Sequence, residues 1–350
     1  MSVLFCRSLD QSLKEAHADF CITEFLFVHD EYKEDLAYFS YHFPYNFHSL
    51  HHMLYFIQNL QFYLQEVKPC HLLQPTTMFP FTTKSMGGKP LFMLPGWTCS
   101  TKFWKYNVDE LARHFQVVLM DMRGHGESEK VLHSHRISRY AMDVKNLLDA
   151  QDLKDVTVLG WSMGASILWS YIELFGNYRI DSLICVDQSP AQYVKSDWPW
   201  GQKACFDVET FMETCFAAKS DPRGAAEGLV SACLKHAPSA EDRNMLVDEI
   251  CKCPPYVRIE IMRDHTNLDW RDFLPHINIP TLVCCARESK VFDVHGSAWV
   301  GEHIPGAQTV IFEDCSHMLF WEKPEQFNQC VTKFIENIKN GKLHVEFEQL

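Results

Sequence analysis

The sequence predicts an α/β fold: a mostly parallel sheet with helices on both faces, interrupted by one all-helical block. Two observations carry this. Short, wholly apolar runs alternate with stretches of helical spacing from about residue 90 to residue 187 and again after residue 273, as strands buried on both faces demand. Between residues 188 and 272 that alternation stops, and only helical segments follow one another. Within the first half, the run Val156-Thr157-Val158-Leu159 breaks into Gly160-Trp161-Ser162-Met163-Gly164 and continues as Ala165-Ser166-Ile167-Leu168. A strand that turns sharply onto a helix at a serine needs small residues two before and two after it, since the strained backbone would clash with larger neighbours. The serine hydroxyl then stands clear of the sheet as a nucleophile.

Taken in order, residues 1–75 form an extension with little legible pattern. Its clearest feature is Phe47 to Val67, where Leu50, Met53, Leu54, Ile57, Leu60 and Leu64 recur at helical spacing. That amphipathic helix is expected to cover the main domain, because its polar side lacks the Lys/Arg that membrane-surface helices favour. An extended run over Thr76 to Lys84 is an early strand, and Gly87-Gly88-Lys89-Pro90 turns into the strand Leu91–Leu94. Phe115 to Asp121 is the next strand. It opens into Met122-Arg123-Gly124-His125-Gly126-Glu127-Ser128, a tight loop at the strand's C-terminal end, where such sheets hold their working residues. A helix over Ser138–Ala150, the strand before Ser162, a helix to Phe175 and the strand Ser182–Val186 complete residues 76–187. Helices over Phe206–Lys219, Ala225–His236, Ala240–Cys253 and Pro255–His265 make residues 188–272 a cap that roofs the serine. The core resumes over residues 273–345 with strands Pro280–Cys285 and Gln308–Phe312 and a helix over Glu325–Asn340.

Bulk properties narrow the function. The chain has 350 residues, with 32 Lys and Arg against 45 Asp and Glu, a formal net charge of -13 that argues against a nucleic-acid partner. No apolar run is long enough to span a bilayer, and no secretory leader opens the chain. The 14 cysteines are scattered, several of them in apolar strand-like runs such as Cys185, Cys284 and Cys285. A reducing, cytosolic setting follows. Cys251-Lys252-Cys253 has no partner pair with zinc spacing, so these read as thiols rather than metal ligands.

A serine hydroxyl needs a base to take its proton. His317 fills that role, lying on a loop just beyond the last strand in Asp314-Cys315-Ser316-His317. The oxyanion formed on a substrate needs two backbone donors, read as the N–H of Met163, next after the nucleophile, and that of Trp97 in the loop after Leu94. Trp198, Trp200 and Phe211, with His265, suggest an apolar pocket under the cap, although aromatics at these spacings are more often core of the cap itself than substrate contacts.

Together, Leu94-Pro95-Gly96-Trp97, the Asp121–Ser128 loop, Gly160–Gly164 and Ser316-His317 resemble the α/β-hydrolase fold superfamily over residues 75–345. The resemblance implies an eight-stranded, mostly parallel sheet, a helical cap, a Ser-acid-His triad and no cofactor. The family commonly places its acid after the seventh strand. Here that stretch is Ala286-Arg287-Glu288-Ser289-Lys290-Val291-Phe292-Asp293, with no Asp at the usual offset, which leaves Glu288 and, further on, Asp293. Asp187, at the end of the strand Ser182–Val186, is the position that other members use. The acid is therefore Asp187 or Glu288. Pro95-Gly96-Trp97 also looks like the loop of cofactor-free dioxygenases of N-heteroaromatics on this fold, but those carry a His where this chain has Met163. Gly-Trp-Ser-Met-Gly is similar to the esterase, lactonase and haloperoxidase-like branch. The expected activity is hydrolysis of a small, apolar ester, thioester or lactone, with a hydrolase-like binding protein of little turnover as the alternative.

Overall fold

The computed structural model describes residues 81–84 and 87–341. The extension 1–75, with the amphipathic helix expected over Phe47 to Val67, lies outside the described residues, as does the start of the run expected from Thr76.

The described strands are β1 (Phe81–Lys84), β2 (Pro90–Leu94), β3 (Gln116–Met120), β4 (Val156–Trp161), β5 (Ile180–Val186), β6 (Thr281–Ala286) and β7 (Gln308–Phe312). They form one sheet in the order β1-β3-β2-β4-β5-β6-β7. Only β1 runs antiparallel, against β3. Among the described residues the sheet thus has seven strands, one fewer than the eight that the resemblance implied; the parallel architecture is as expected.

Strand order explains where a site can form. From β2 the chain crosses one way to β3 and then the other way to β4, so β2 and β4 are neighbours at the point where the winding reverses, with Leu94 opposite Gly160. The loops leaving the C-terminal ends of two such strands diverge and leave a crevice. Pro95-Gly96-Trp97 leaves one of them and Ser162 the other.

Alternate residues of each strand face opposite sides, and each side has its own core. Leu91, Met93, Val117, Leu119, Leu159 and Ile184 pack into one. Phe92, Leu94, Val118, Met120, Val158 and Leu183 pack into the other. The second core is covered by α2 (Ile137–Ala150) and α3 (Met163–Phe175), which follow the short α1 (Val108–Leu111). Arg136 gives α2 no side-chain cap, and the Asp264 carboxylate accepts from the Ile137 N–H instead, at 2.8 Å.

Between β5 and β6 lie α4 (Val208–Ser220), α5 (Pro222–Cys233), α6 (Ala240–Cys251) and α7 (Pro255–Thr266). α5 starts earlier than its apolar spacing predicts, because Asp221 accepts from the Gly224 N–H and Pro222 sits at the first helical position, where a missing N–H costs nothing. It also ends earlier, since Leu234 is extended. The buried Arg258 guanidinium ties these helices together by donating to the carbonyls of Cys253, Pro222 and Ile250 at 2.7, 3.0 and 2.9 Å. After β6 come α8 (Val294–His303), which the sequence pattern did not reveal, the short α9 (Leu319–Glu322) and α10 (Pro324–Lys339). No helix among the described residues is long and apolar enough to cross a membrane.

Candidate active site

β4 delivers Ser162 in a conformation that few residues adopt, φ 54° and ψ −127°, and α3 begins at the next residue. Positive φ in a non-glycine residue costs about 1–3 kcal/mol and persists only where the surroundings over-determine it. The surroundings here are explicit. A Cβ at position 160 would come within 2.5 Å of the backbone of Gly164 and Ala165, and one at 164 within 2.7 and 2.8 Å of the Leu94 and Pro95 carbonyl oxygens. The two glycines let strand, helix and the loop after β2 close on one another. The Ser162 N–H donates to the Val186 carbonyl at 2.9 Å, which ties the turn to β5, and the side chain makes no capping bond to its own helix.

Gly96 lies against this turn: a Cβ there would be 3.1 Å from the Ser162 Cβ and 3.2 Å from the Trp161 ring. Trp97, next in the loop, is pinned by its indole N–H, which donates to the Arg258 carbonyl on α7 at 3.0 Å. Met163 opens α3, so its N–H has no helical carbonyl one turn back to donate to. Trp97, Ser162 and Met163 line the same pocket.

His317 follows β7 and is only 3% exposed. Its Nδ1–H donates to Asp187 Oδ2 at 2.7 Å. Asp187 stands at the end of β5 with φ 42° and is fully buried. Its other oxygen, Oδ1, accepts from the Ala286 N–H and the Ser297 hydroxyl, both at 3.2 Å. A buried carboxylate held by three donors is fixed in its orientation. The imidazole is fixed from two further sides: the Trp161 indole N–H donates to the His317 carbonyl at 3.0 Å, and the Trp161 ring packs 5.1 Å from the imidazole. With Nδ1 donating, Nε2 of the neutral ring carries the lone pair.

The other two carboxylates weighed for this position are engaged elsewhere. Glu288 turns outward to Lys235, at 2.5 Å, with its side chain 46% exposed. Asp293 caps α8, accepting from the His295 N–H at 2.9 Å and from the His295 ring. The stretch after β6 therefore sends no carboxylate to the histidine, and the one that meets it follows β5.

Ser162 and His317 both line a cavity of about 30 Å³, walled by Trp161, Met262, Val291 and Phe292 among others. Cys99 and Cys233 are part of that wall. Burial pushes the Cys233 thiol up to about 12 and that of Cys99 well above its ordinary value, so both stay protonated and serve as apolar surface. Of the residues weighed as pocket lining or cap core, Trp198, Trp200 and Phe211 are not among the pocket walls. Trp198 packs edge-on against Trp200 and Trp299, and Phe211 packs with Cys205 and Met262. His265 does line it, together with Gln192 and Gln202, which sequence reasoning missed. Ser297 was missed too. It lies on α8, a helix with no strong apolar period of its own, and nothing in the local sequence marks its hydroxyl as a partner for a residue 110 positions away.

The family model described as alpha/beta hydrolase fold matches residues 89–324. The chain belongs to this family. The AB hydrolase superfamily protein YisY of Bacillus subtilis (strain 168) is 25% identical to this α/β-hydrolase over 252 residues, 71% of this chain and 91% of its own. A pimeloyl-(acyl-carrier protein) methyl ester esterase of Nitrosomonas europaea is 25% identical over 254 residues, 69% of this chain and 94% of its own. Among solved structures, the esterase EaEST from Exiguobacterium antarcticum superposes with a TM-score of 0.70 at 20% identity, covering 74% of this chain and 95% of that one.

Proposed function

We propose that this α/β-hydrolase cleaves small carboxylic esters, thioesters or lactones through a Ser162–His317–Asp187 triad and an acyl-enzyme. The observation that carries the reading is the buried 2.7 Å bond to Asp187 from Nδ1 of His317, which lines the same pocket as a serine held at φ 54°. In this mechanism His317 Nε2 takes the Ser162 proton as Oγ attacks the acyl carbon. The negative charge that develops on the acyl oxygen is held by the N–H groups of Met163 and Trp97, each worth about 3 kcal/mol of transition-state stabilisation. His317 returns the proton to the leaving alcohol or thiol. It then deprotonates a water that releases the acyl group, and no cofactor is required. Asp187 keeps the imidazole in the tautomer that presents a lone pair to Ser162.

The family membership and the methyl ester esterase among the relatives support an ester-like substrate. Residues 188–272 act as a cap in this proposal, supported by Leu229, Cys233, Met262 and His265 in the pocket wall. A reducing, cytosolic setting fits the buried thiols of Cys185, Cys284 and Cys285, which serve as core side chains of β5 and β6.

Two assays on one pair of proteins test the reading: turnover of p-nitrophenyl acetate and labelling by a fluorophosphonate. Wild type is expected to do both. S162A is expected to do neither, and an S162A protein that retains turnover overturns the proposal.

A further inference from the structure

The cavity beside Ser162 is lined by two residues with polar side chains that the proposed triad does not use. His265, on α7, is 3% exposed, and its Nδ1 is buried without a hydrogen-bond partner. The same is true of the Gln202 side-chain oxygen. Both residues line the cavity. Burial holds the imidazole neutral, with its pKa lowered to about 3, so one ring nitrogen carries a proton and the other a lone pair. Leaving such groups unpaired costs about 1–3 kcal/mol each, and native proteins retain few of them without a reason.

The placement of Gln202 is built by the chain around it. The Gln202 N–H donates to the Gln192 carbonyl at 2.7 Å, and the Val194 N–H to the Phe206 carbonyl at 2.8 Å, so the two arms of this segment lie side by side. Gly201 permits that approach, since a Cβ there would stand 2.6 Å from the Gln192 carbonyl oxygen. His265 is held in turn by α7, which also anchors Trp97 through the Arg258 carbonyl. Two polar residues on different segments are thus fixed in one largely apolar cavity that also contains the reactive serine.

We propose that His265 and Gln202 are specificity-determining residues that select an acyl group bearing a hydroxyl, whose proton is donated to the Gln202 side-chain oxygen and whose oxygen accepts from the His265 ring. A hydroxyl is the smallest group that donates and accepts at once, and the small cavity favours a short acyl chain. A plain alkyl acyl group leaves both protein atoms unpaired, which is the situation in which enzymes discriminate most strongly. This rests on the ester hydrolase reading above for its reaction, though not for its binding.

The test compares methyl 3-hydroxypropionate with methyl butyrate, in which a methyl group replaces the hydroxyl at nearly constant shape. Wild type is expected to favour the hydroxy ester by about tenfold or more in kcat/KM. That ratio is expected to fall to near one in H265F and in Q202L, whatever happens to the absolute rates. A wild-type ratio near one, or a ratio that survives both substitutions, overturns the inference while leaving ester hydrolysis intact; the buried atoms then hold water only. Binding is read separately in S162A, which keeps both esters whole, by the rise in Tm at millimolar ester. A larger rise with the hydroxy ester, lost on adding H265F or Q202L, supports the inference even if wild type turns over neither compound. Equal rises overturn it. Absence of turnover together with absence of Ser162 labelling counts against the hydrolase reading alone.

Discussion

At the scale of single residues, the site rests on two strained positions at the ends of adjacent strands. Ser162 closes β4 with φ 54° and Asp187 closes β5 with φ 42°. Each is held by backbone bonds, Ser162 N–H to the Val186 carbonyl and Asp187 N–H to the Cys284 carbonyl. The strain at Ser162 implies that function costs stability here. S162G is expected to unfold at a higher urea concentration than S162A, by about 1 kcal/mol, because glycine adopts positive φ without steric cost. The choice of acid is a residue-scale question as well. D187N places an amide against His317 Nδ1 and favours the tautomer that removes the lone pair from Nε2, so kcat with p-nitrophenyl acetate is expected to drop by roughly four orders of magnitude. E288Q breaks only the exposed pair with Lys235, for which a change within about twofold is expected. A large loss in E288Q with an active D187N would reverse the assignment.

At the scale of elements, the sheet's reversal point makes the site possible, and the glycines let the elements close on it. β2 and β4 are neighbours only because the chain winds both ways from β2, which places the Pro95-Gly96-Trp97 loop against the turn at Ser162. Gly164 lies where the loop after β2 meets the helix, with two carbonyl oxygens under 3 Å from where a Cβ would be. Both contacts are backbone, so neither can yield by a rotamer change. G164A is expected to destabilise by about 1–3 kcal/mol in urea denaturation and to lower kcat/KM by about 100-fold through displacement of Met163 and Ser162. The helices between β5 and β6 are coupled to the loop after β2 by Glu249, which accepts from the Ser100 hydroxyl at 2.8 Å and from Lys102 and Lys252 at 2.7 and 2.8 Å. Lys252 bonds Glu127 in addition. Burial acts to raise the Glu249 pKa, but these partners outweigh it and hold the carboxyl below its usual range. Trp97 is thus braced from α7 and its loop from α6.

At the scale of the whole molecule, burial of neutral histidines ties stability to pH. His125 and His265 are buried, and burial lowers each pKa to about 3, although at His125 a bond from Nδ1–H to the Arg123 carbonyl acts the other way. The unfolded chain takes up a proton on each near pH 6.5 and the folded chain does not, so stability is full above that pH and is lost as pH falls toward 3. Each histidine is expected to contribute about 2 kcal/mol of destabilisation between pH 8 and pH 5. Urea midpoints of wild type and H125Q at both values check this: the loss in H125Q is expected to be smaller by that amount, and equal losses would show that His125 is not the cause. The fold class, the strand and helix of the Ser162 turn, and the positions of Ser162 and His317 were legible in the sequence, since each depends on local pattern: apolar periodicity, flanking glycines, a histidine just after a strand. The carboxylate that meets His317 was not, because Asp187 and Glu288 both follow strands and only the packing of β5 beside β6 buries the one against His317 while Lys235 draws the other outward. Nor were Ser297, Gln192 and Gln202, whose roles come from segments that meet only in the folded chain. Local sequence determined which serine stands at the strand-to-helix turn and how its backbone bends. Long-range packing decided which carboxylate meets His317 and which polar residues line the cavity, because burial and partner choice depend on residues about a hundred positions or more apart.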